Sequence, residues 1–389
     1  MTTLILICTL LLLMSYEFSK HEWFSPGVLT CGVWLVGLVL FVVMPHPLPP
    51  LSTRFLTGAG LWIALYTVSS LCMQSFSYRA KETQASTLVY DIYYWVSICC
   101  APLLVYFVYQ ALRMGTSGNW AMDLRMAALG RGRFSQDGVY TPFYYTLWQV
   151  TYLLALFRLD KTHWRRAVVT GLLVLGFGIA TMAKFVLLFF GVVTAVMLYQ
   201  KKILKLKHIG VIALILVAAM LIQHSVREKM HYDQKSLFEV MELYMLRNYT
   251  AFDTVEPCSS GHWGENVFRF CYAVAYKLGW SSVEPIDPLL PFIRKPAFTN
   301  TYTCLYPFYK DFGMWGIGLG AIITGALMGW IFRKKQQGST FFTLLFVYFC
   351  TTIIIQYNSE FLFMNFSGHV KACLLLYLPF LISRIPKHE

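Results

Sequence analysis

Charged residues are scarce in this chain of 389 residues. They make up only 13% of the sequence, whereas hydrophobic residues make up 57%. The mean hydropathy of +0.56 is too high for a soluble domain of this length. The composition therefore argues against an ordinary soluble enzyme and predicts a polytopic membrane protein.

The motifs of soluble enzymes are also missing. No G-x-G-x-x-G, phosphate-binding P-loop, H-E-x-x-H or G-x-S-x-G occurs in a convincing context. There is no internal repeat and no low-complexity tract, and the ten cysteines lack metal-ligand spacing. Three cysteines lie in the one long polar segment, Cys258, Cys271 and Cys304, and a disulfide among them would need an oxidising compartment. Their pairing stays open.

Apolar runs are abundant instead. About eleven are long enough to cross a bilayer as helices, at roughly 17 to 25 residues each. They lie at 1–16, 27–44, 55–74, 93–112, 139–158, 166–183, 184–200, 208–224, 311–332, 340–357 and 369–384. We therefore predict an all-α, polytopic integral membrane protein with about eleven transmembrane helices. The first run lacks a basic n-region and an A-x-A-like cleavage site, so we expect it to remain in the chain.

Basic clusters predict the orientation of these segments. The lysines within 201–207 and the basic residues at 333–335 belong on the cytoplasmic side by the positive-inside rule. This divides the chain into N-terminal transmembrane helices at 1–224, a large outer loop at 225–310 and C-terminal transmembrane helices at 311–389. The net charge is +13, but the basic residues lie in short clusters at segment ends, as topology signals do. We therefore expect no nucleic-acid partner.

One arginine-rich stretch does not fit this orientation. By the same count residues 113–133 lie outside, although they carry Arg113, Arg125, Arg131 and Arg133. The nearby acids are Asp123 and Asp137. Either a crossing near 139–158 is miscounted, or these arginines lie outside because they hold an anion.

The outer loop has helical periodicity in two places. Residues 236–252 and 266–280 carry apolar residues at helical spacing and predict amphipathic helices, the second ending near Gly279. Four prolines follow, Pro285, Pro288, Pro291 and Pro296. They predict an extended path back to the membrane.

Charges at the membrane boundary are costly and are therefore functional candidates. Lys184 lies in the middle of a long apolar stretch that predicts a helical hairpin, where it is either a turn residue reaching the interface or an anion ligand. Arg125, Arg247 and Arg269 are the arginines that we group with it, because the arginine fork matches phosphate oxygens. A lone loop arginine is more often simply solvated. These cations therefore indicate an anion site only if the fold brings them together.

Aromatic and polar residues precede the apolar run at 311–332. Four of them combine rings, hydroxyls and an amide as a sugar site would, namely Asn300, Tyr302, Tyr306 and Tyr309. An interfacial aromatic belt explains part of this pattern. Asp311 is predicted to cap the helix. Two glycine pairs are spaced to admit another helix closely, Gly316 with Gly320 and Gly325 with Gly329.

These stretches resemble those of a known family. Residues 247–332 resemble the bacterial oligosaccharide repeat unit polymerases, the Wzy-type O-antigen and capsule polymerases. The resemblance rests on AFD at 251–253, GENVFRF at 264–270 and TNTYTCLYPFYKDFGMWGIGLG at 299–320. It covers under a quarter of the chain closely, and Lys184 stands where the family pattern leads us to expect an arginine.

The resemblance implies an enzyme, a glycosyltransferase of the bacterial inner membrane. Such enzymes transfer a growing glycan from undecaprenyl pyrophosphate to a single undecaprenyl-pyrophosphate-linked repeat unit on the periplasmic face, without a metal or nucleotide cofactor. The implied partners are these lipid-linked oligosaccharides, the lipid bilayer, a chain-length regulator and a flippase.

The residue pattern and the resemblance lead to one mechanistic hypothesis. Four cations, Arg125, Lys184, Arg247 and Arg269, would hold the departing pyrophosphate. Asp253, His262 and Asp311 are the candidates for the group that activates the acceptor hydroxyl, and none is favoured. Three other functions stay open: an O-antigen ligase with lipid A core as acceptor, a transporter or flippase, and a membrane acyltransferase.

Overall fold

The protein is all-helical, as the hydropathy pattern predicts. The computed structural model describes residues 1–77, 85–131, 134, 144–228, 237–287 and 289–383. Helices make up 72% of the structure, and these ranges contain no β-strand. Ile293 and Thr299 form an isolated antiparallel bridge in the segment predicted to be the outer loop.

The described helices follow one another closely along the chain. They are α1 (Thr2–Phe18), α2 (Pro26–Val43), α3 (Thr53–Ser75), α4 (Thr87–Cys99), α5 (Ala101–Met114), α6 (Trp120–Leu129), α7 (Tyr145–Phe157), α8 (Trp164–Ala180), α9 (Lys184–Gln200), α10 (Leu206–Glu228), α11 (Leu237–Met245), α12 (Arg247–Ala251), α13 (Arg269–Lys277), α14 (Tyr306–Gln336), α15 (Thr340–Ile354) and α16 (Phe366–Ile382). Short 3₁₀ turns follow α12 and α15, at Phe252–Thr254 and Ile355–Tyr357.

Six helical spans among the described residues are long and apolar enough to cross a membrane. They are Pro26–Val43, Thr53–Ser75, Thr87–Met114, Leu206–Val226, Tyr306–Gln336 and Thr340–Tyr357. Shorter apolar helices accompany them, at Thr2–Phe18, Tyr145–Phe157, Lys184–Gln200 and Phe366–Ile382. The structure is thus compatible with a multi-pass membrane protein, while the count of about eleven crossings stays a prediction.

The helices pack into two compact units. Unit 1 comprises Met1–Lys81 and Lys235–His369, and unit 2 comprises Glu82–Gln234 and Val370–Glu389. The predicted division at residues 224 and 310 concerns membrane topology, and it stays a prediction.

In unit 1, α14 packs along α3. A methyl group at Gly325 would overlap the carbonyl oxygen of Tyr66, and one at Gly329 would overlap that of Ser70. Only glycine at these positions lets the two backbones approach so closely. The prediction for this glycine pair is confirmed.

The two helices run parallel, with their N-terminal ends together. Near those ends, Gly58 of α3 faces Ile317 of α14. At the other end, the Nε of Arg333 donates to the carbonyl oxygen of Phe76, just past α3, at 3.0 Å. The start of α14 therefore lies beside the start of α3.

The other glycine pair accommodates the first turn of α14 itself. Gly316 lies against the carbonyl group of Phe308, and Gly320 lies against the Phe308 ring. The cause is a break in α14 at Gly313, where φ is 63° and ψ is −150°. This conformation is essentially restricted to glycine, and it turns the first residues of α14 back against the helix that follows.

In unit 2, α8 and α9 form the predicted helical hairpin. A turn of three residues, 181–183, joins them, and Lys184 is the first residue of α9. The predicted run at 93–112 overlaps two consecutive helices, α4 and α5, which are interrupted after Cys99.

Candidate functional site

The outer loop forms the amphipathic helices that its periodicity predicts, although they are shorter. The first prediction corresponds to α11 and α12, separated at Leu246, and the second corresponds to α13. Gly279 has a positive φ of 71°, and its N–H donates to the carbonyl oxygen of Tyr276 at 3.1 Å. It therefore ends α13 as predicted.

The break in α14 creates a docking point for this loop. Because Gly313 is not helical, carbonyl groups of the preceding turn lack their usual helical partners. The N–H of Cys258 donates to the carbonyl oxygen of Tyr309 at 3.4 Å, and the N–H of Ser259 donates to that of Lys310 at 2.9 Å. Loop residues 258–260 are thus attached to the start of α14.

Asp311 completes this attachment. Its carboxylate accepts the Asn266 side-chain amide at 2.6 Å, the Val267 N–H at 2.8 Å, the Asn266 N–H at 3.1 Å and the Ser260 hydroxyl. The side chain is buried. The prediction that Asp311 caps the helix is wrong, because α14 begins at Tyr306. The carboxylate instead holds the GENVFRF stretch on α14, which favours a structural role over that of a base.

Asp253, from the AFD stretch, lies at the N-terminal end of α3. The hydroxyl of Ser52 donates to the Asp253 carboxylate. Ser52 is also the N-cap of α3, and its hydroxyl oxygen accepts the N–H of Phe55 at 3.0 Å. The Asp253 side chain is about 29% exposed. Among the described residues only one of its carboxylate oxygens accepts a hydrogen bond.

Arg54 also contacts Asp253, and it is not among the candidates predicted from the sequence. Its guanidinium donates to the carbonyl oxygen of Asp253 and lies 3.9 Å from the Asp253 carboxylate. The guanidinium carbon lies 5.9 Å from the Phe252 ring centre and 5.5 Å from that of Tyr309. Its position one residue before the predicted run at 55–74 is the signal that could have found it.

Arg247, the first residue of α12, is ion-paired. Its Nε lies 2.9 Å from a carboxylate oxygen of Glu242, and both side chains are largely buried, at 16% and 6% exposure. Its terminal NH1 donates to the carbonyl oxygen of Phe298 at 3.2 Å. Because a guanidinium has five N–H donors, three remain without a partner among the described residues.

Arg269, the first residue of α13, is anchored in a similar way. Its Nε donates to the carbonyl oxygen of Ile286 at 2.8 Å. Burial lowers the pKa of its guanidinium and the neighbouring Asp287 opposes that shift, but an arginine stays charged at physiological pH. The side chain is half-buried, so part of it faces solvent.

Arg125 and Lys184 belong to unit 2. Both are half-buried. The helix α6, which carries Arg125, shares a hydrophobic cluster with Met182 in the turn before Lys184. The cluster comprises Phe107, Ala111, Ala121, Leu124, Ala127, Phe134 and Met182. The two cations thus lie at the same end of unit 2. Their convergence with Arg247 and Arg269 stays a prediction, and Arg133 and Asp137 lie outside the described residues.

His262 lies on the surface of the loop. It is exposed, and its ring centre is 6.4 Å from that of Tyr272. Within the described ranges no carboxylate contacts the imidazole, although its backbone N–H donates to Glu265 at 3.1 Å. Nothing in this geometry orients the ring toward a substrate.

The four predicted glycan-binding residues differ in exposure. Tyr302 is buried and donates to the carbonyl oxygen of Pro291 at 3.2 Å, and burial raises its pKa to about 12. Tyr309 is buried too, with its ring centre 4.8 Å from that of Phe252. Asn300 is half-buried. Tyr306 lines a cleft.

That cleft has a volume of about 170 Å³. Its lining residues come from the loop before α14, from the start of α14 and from the connection between α15 and α16. They are Leu290, Thr303, Tyr306, Pro307, Ser359, Glu360, Phe361, Met364 and Asn365. A second, smaller pocket, called the inner pocket below, shares three lining residues with the cleft: Ser359, Glu360 and Phe361.

Glu360 is the second residue that the sequence analysis missed. Its carboxylate accepts the N–H groups of Leu362 at 2.8 Å, Phe363 at 2.9 Å and Met364 at 2.8 Å. Burial raises its pKa to about 7, although these N–H groups oppose the shift. The signal was a lone carboxylate between two apolar runs, 340–357 and 369–384.

Thiols and metals add nothing to this geometry. Cys258 and Cys271 are exposed, Cys304 is buried, and all three are free thiols. The part of the chain that the structure describes holds no group of three or more histidine, cysteine or acidic side chains that could bind a metal ion.

No family model, curated protein or solved structure matches the chain.

Proposed function

We propose that this protein is a glycosyltransferase that polymerises undecaprenyl-pyrophosphate-linked oligosaccharide repeat units into O-antigen, capsule or exopolysaccharide. One observation carries the proposal. The loop docks on the start of α14, and three arginines make contacts to loop residues: Arg54 to Asp253, Arg247 to Phe298 and Arg269 to Ile286. The same loop and the start of α14 also contribute residues to the cleft. Anchored guanidinium groups suit a pyrophosphate, and a cleft lined by rings, hydroxyls and a carboxylate suits a sugar.

The proposed reaction needs both features. The oxygen of an acceptor hydroxyl attacks the anomeric carbon of the donor sugar, and the bond from that carbon to the pyrophosphate oxygen breaks. The electron pair leaves with the pyrophosphate, where negative charge develops. Guanidinium donors that are already fixed stabilise this charge, each by about 2.7 to 4 kcal/mol if they resemble an oxyanion-hole donor.

The arginines meet this requirement because protein contacts hold each of them. Arg247 is fixed by Glu242 and the Phe298 carbonyl group, and Arg269 by the Ile286 carbonyl group. Each keeps N–H donors beyond these contacts. Arg125 and Lys184, in unit 2, stay predicted pyrophosphate ligands.

The proposed location follows from the same chemistry. We place the protein in the bacterial inner membrane with residues 225–310 in the periplasm. Its other proposed partners are a chain-length regulator and a flippase, and we propose no metal or nucleotide cofactor.

A gel profile of surface polysaccharide tests the proposal. The gene is deleted in the source bacterium and then restored on a plasmid. A polymerase predicts core with a single repeat unit in the deletion strain and a full ladder after restoration. Loss of all attached glycan, with polymer kept on its lipid carrier, would instead identify a ligase. An unchanged ladder in the deletion strain would contradict both functions.

A further inference from the structure

The cleft beside the start of α14 has the chemistry of a sugar site. Tyr306 and Phe361 contribute rings, Thr303 and Ser359 contribute hydroxyls, and Asn365 contributes an amide. At about 30 Å³ for each water molecule, a volume of about 170 Å³ holds several waters. It has room for a ring-sized group.

Glu360 is fixed at the boundary between the cleft and the inner pocket. Three backbone N–H groups hold its carboxylate, so it does not rotate freely. Glu360 is only 6% exposed. Neither cavity is lined by a lysine, arginine or histidine, so the lining offers no cation to pair with this carboxylate.

A purely structural role would not require Glu360 to be buried beside two cavities. A carboxylate that only caps a turn works equally well in solvent, where ionisation costs nothing. Asp311 provides the comparison within the same unit, because it is also a buried carboxylate that accepts hydrogen bonds on both oxygens. It lines neither of the two cavities, whereas Glu360 lines both.

We infer that this cleft binds the acceptor sugar and that the Glu360 carboxylate accepts the proton of the attacking hydroxyl. The inference rests on the proposed function, which it extends by naming the acceptor site and the base. As the acceptor oxygen bonds to the anomeric carbon, its proton passes to a Glu360 oxygen. The pyrophosphate leaves with the electron pair of the broken bond, and the proton later passes from Glu360 to solvent.

A pH dependence caused by Glu360 can be distinguished from one caused by its neighbours. Tyr306 lines the cleft, and Tyr66 and Cys304 line the inner pocket. His369, from α16, contacts the carbonyl oxygen of Phe361 at 2.9 Å. Phenols and thiols ordinarily titrate well above pH 7. Among these described neighbours, His369 is therefore the group whose ordinary pKa lies in the neutral range.

The test uses the purified full-length protein in lipid nanodiscs. Its substrate is the lipid-linked repeat unit extracted from the deletion strain, and the rate of chain lengthening is measured from pH 5 to 9. A base predicts a rate that rises with pH about a midpoint near 7. In E360Q the rate should fall by about 10²- to 10⁴-fold, and the rising limb should disappear. H369Q should keep that limb.

Matched variants separate chemistry from folding. Glu256 is an exposed glutamate of the same unit, so E256Q removes the same charge and should lengthen chains at the wild-type rate. N365A alters the cleft without altering Glu360. It should raise the acceptor KM about tenfold with little change in kcat, so the cleft remains testable even if E360Q does not fold.

The possible failures are distinguishable. If the wild-type protein does not lengthen the extracted repeat unit, the proposed function fails. If the wild-type protein is active and folded E360Q keeps its rate within about threefold, the inference about the base is overturned. An unchanged acceptor KM in N365A overturns the assignment of the cleft.

Discussion

Arg247 shows why single substitutions at this site need care. Replacing it alone by alanine leaves the buried Glu242 carboxylate unpaired, at a cost of about 3 to 5 kcal/mol. Loss of polymer in that variant would not separate binding from folding. The double variant E242Q/R247Q removes both charges, so we expect it to insert normally and to lose the polysaccharide ladder.

One control accompanies the double variant. R294A removes an exposed arginine of the same loop and should change nothing. A normal chain-length profile in folded E242Q/R247Q would remove Arg247 from the pyrophosphate site.

Asp311 predicts a change in stability. In D311N an amide NH₂ replaces one carboxylate oxygen, so either the side-chain amide of Asn266 or the N–H groups of Asn266 and Val267 lose an acceptor inside the protein. An unsatisfied buried donor costs about 1 to 3 kcal/mol, so the thermal unfolding midpoint in detergent should fall. A variant with unchanged thermal stability but no polymerisation would restore Asp311 as a catalytic candidate.

At the scale of elements, the contact between α3 and α14 depends on glycine. G325A places a methyl group against the α3 backbone at Tyr66, and overpacking of this kind costs about 1 to 3 kcal/mol. Gly210, in α10, has open space around it. G210A should therefore be neutral or slightly stabilising, because alanine favours a helix by up to about 1 kcal/mol. Equal melting temperatures for both variants would contradict the close packing.

Periodicity predicted the elements well and their interruptions poorly. The hairpin at Lys184 and the end of α13 at Gly279 follow from local patterns. The break at Gly313 and the separation of α11 from α12 at Leu246 do not. The break at Gly313 is stabilised by partners far along the chain, since loop residues bind the carbonyl groups of Tyr309 and Lys310.

At the scale of the whole molecule, composition was sufficient for the class and insufficient for the site. Scarce charge and long apolar runs predict an all-helical chain that suits a membrane, because burying polar groups in hydrocarbon is costly. Asp253 and Arg247 could be named from sequence, but their partners Ser52 and Glu242 could not. Arg54 and Glu360 were missed because their importance depends on contacts that only the folded chain creates.

The most direct measurement asks whether the purified protein alone lengthens the lipid-linked repeat unit extracted from the deletion strain. A polymerase predicts a ladder of lipid-linked glycans that appears with time and requires no added metal or nucleotide. A repeat-unit lipid that stays unchanged, in nanodiscs where the protein is folded, would contradict the proposed function.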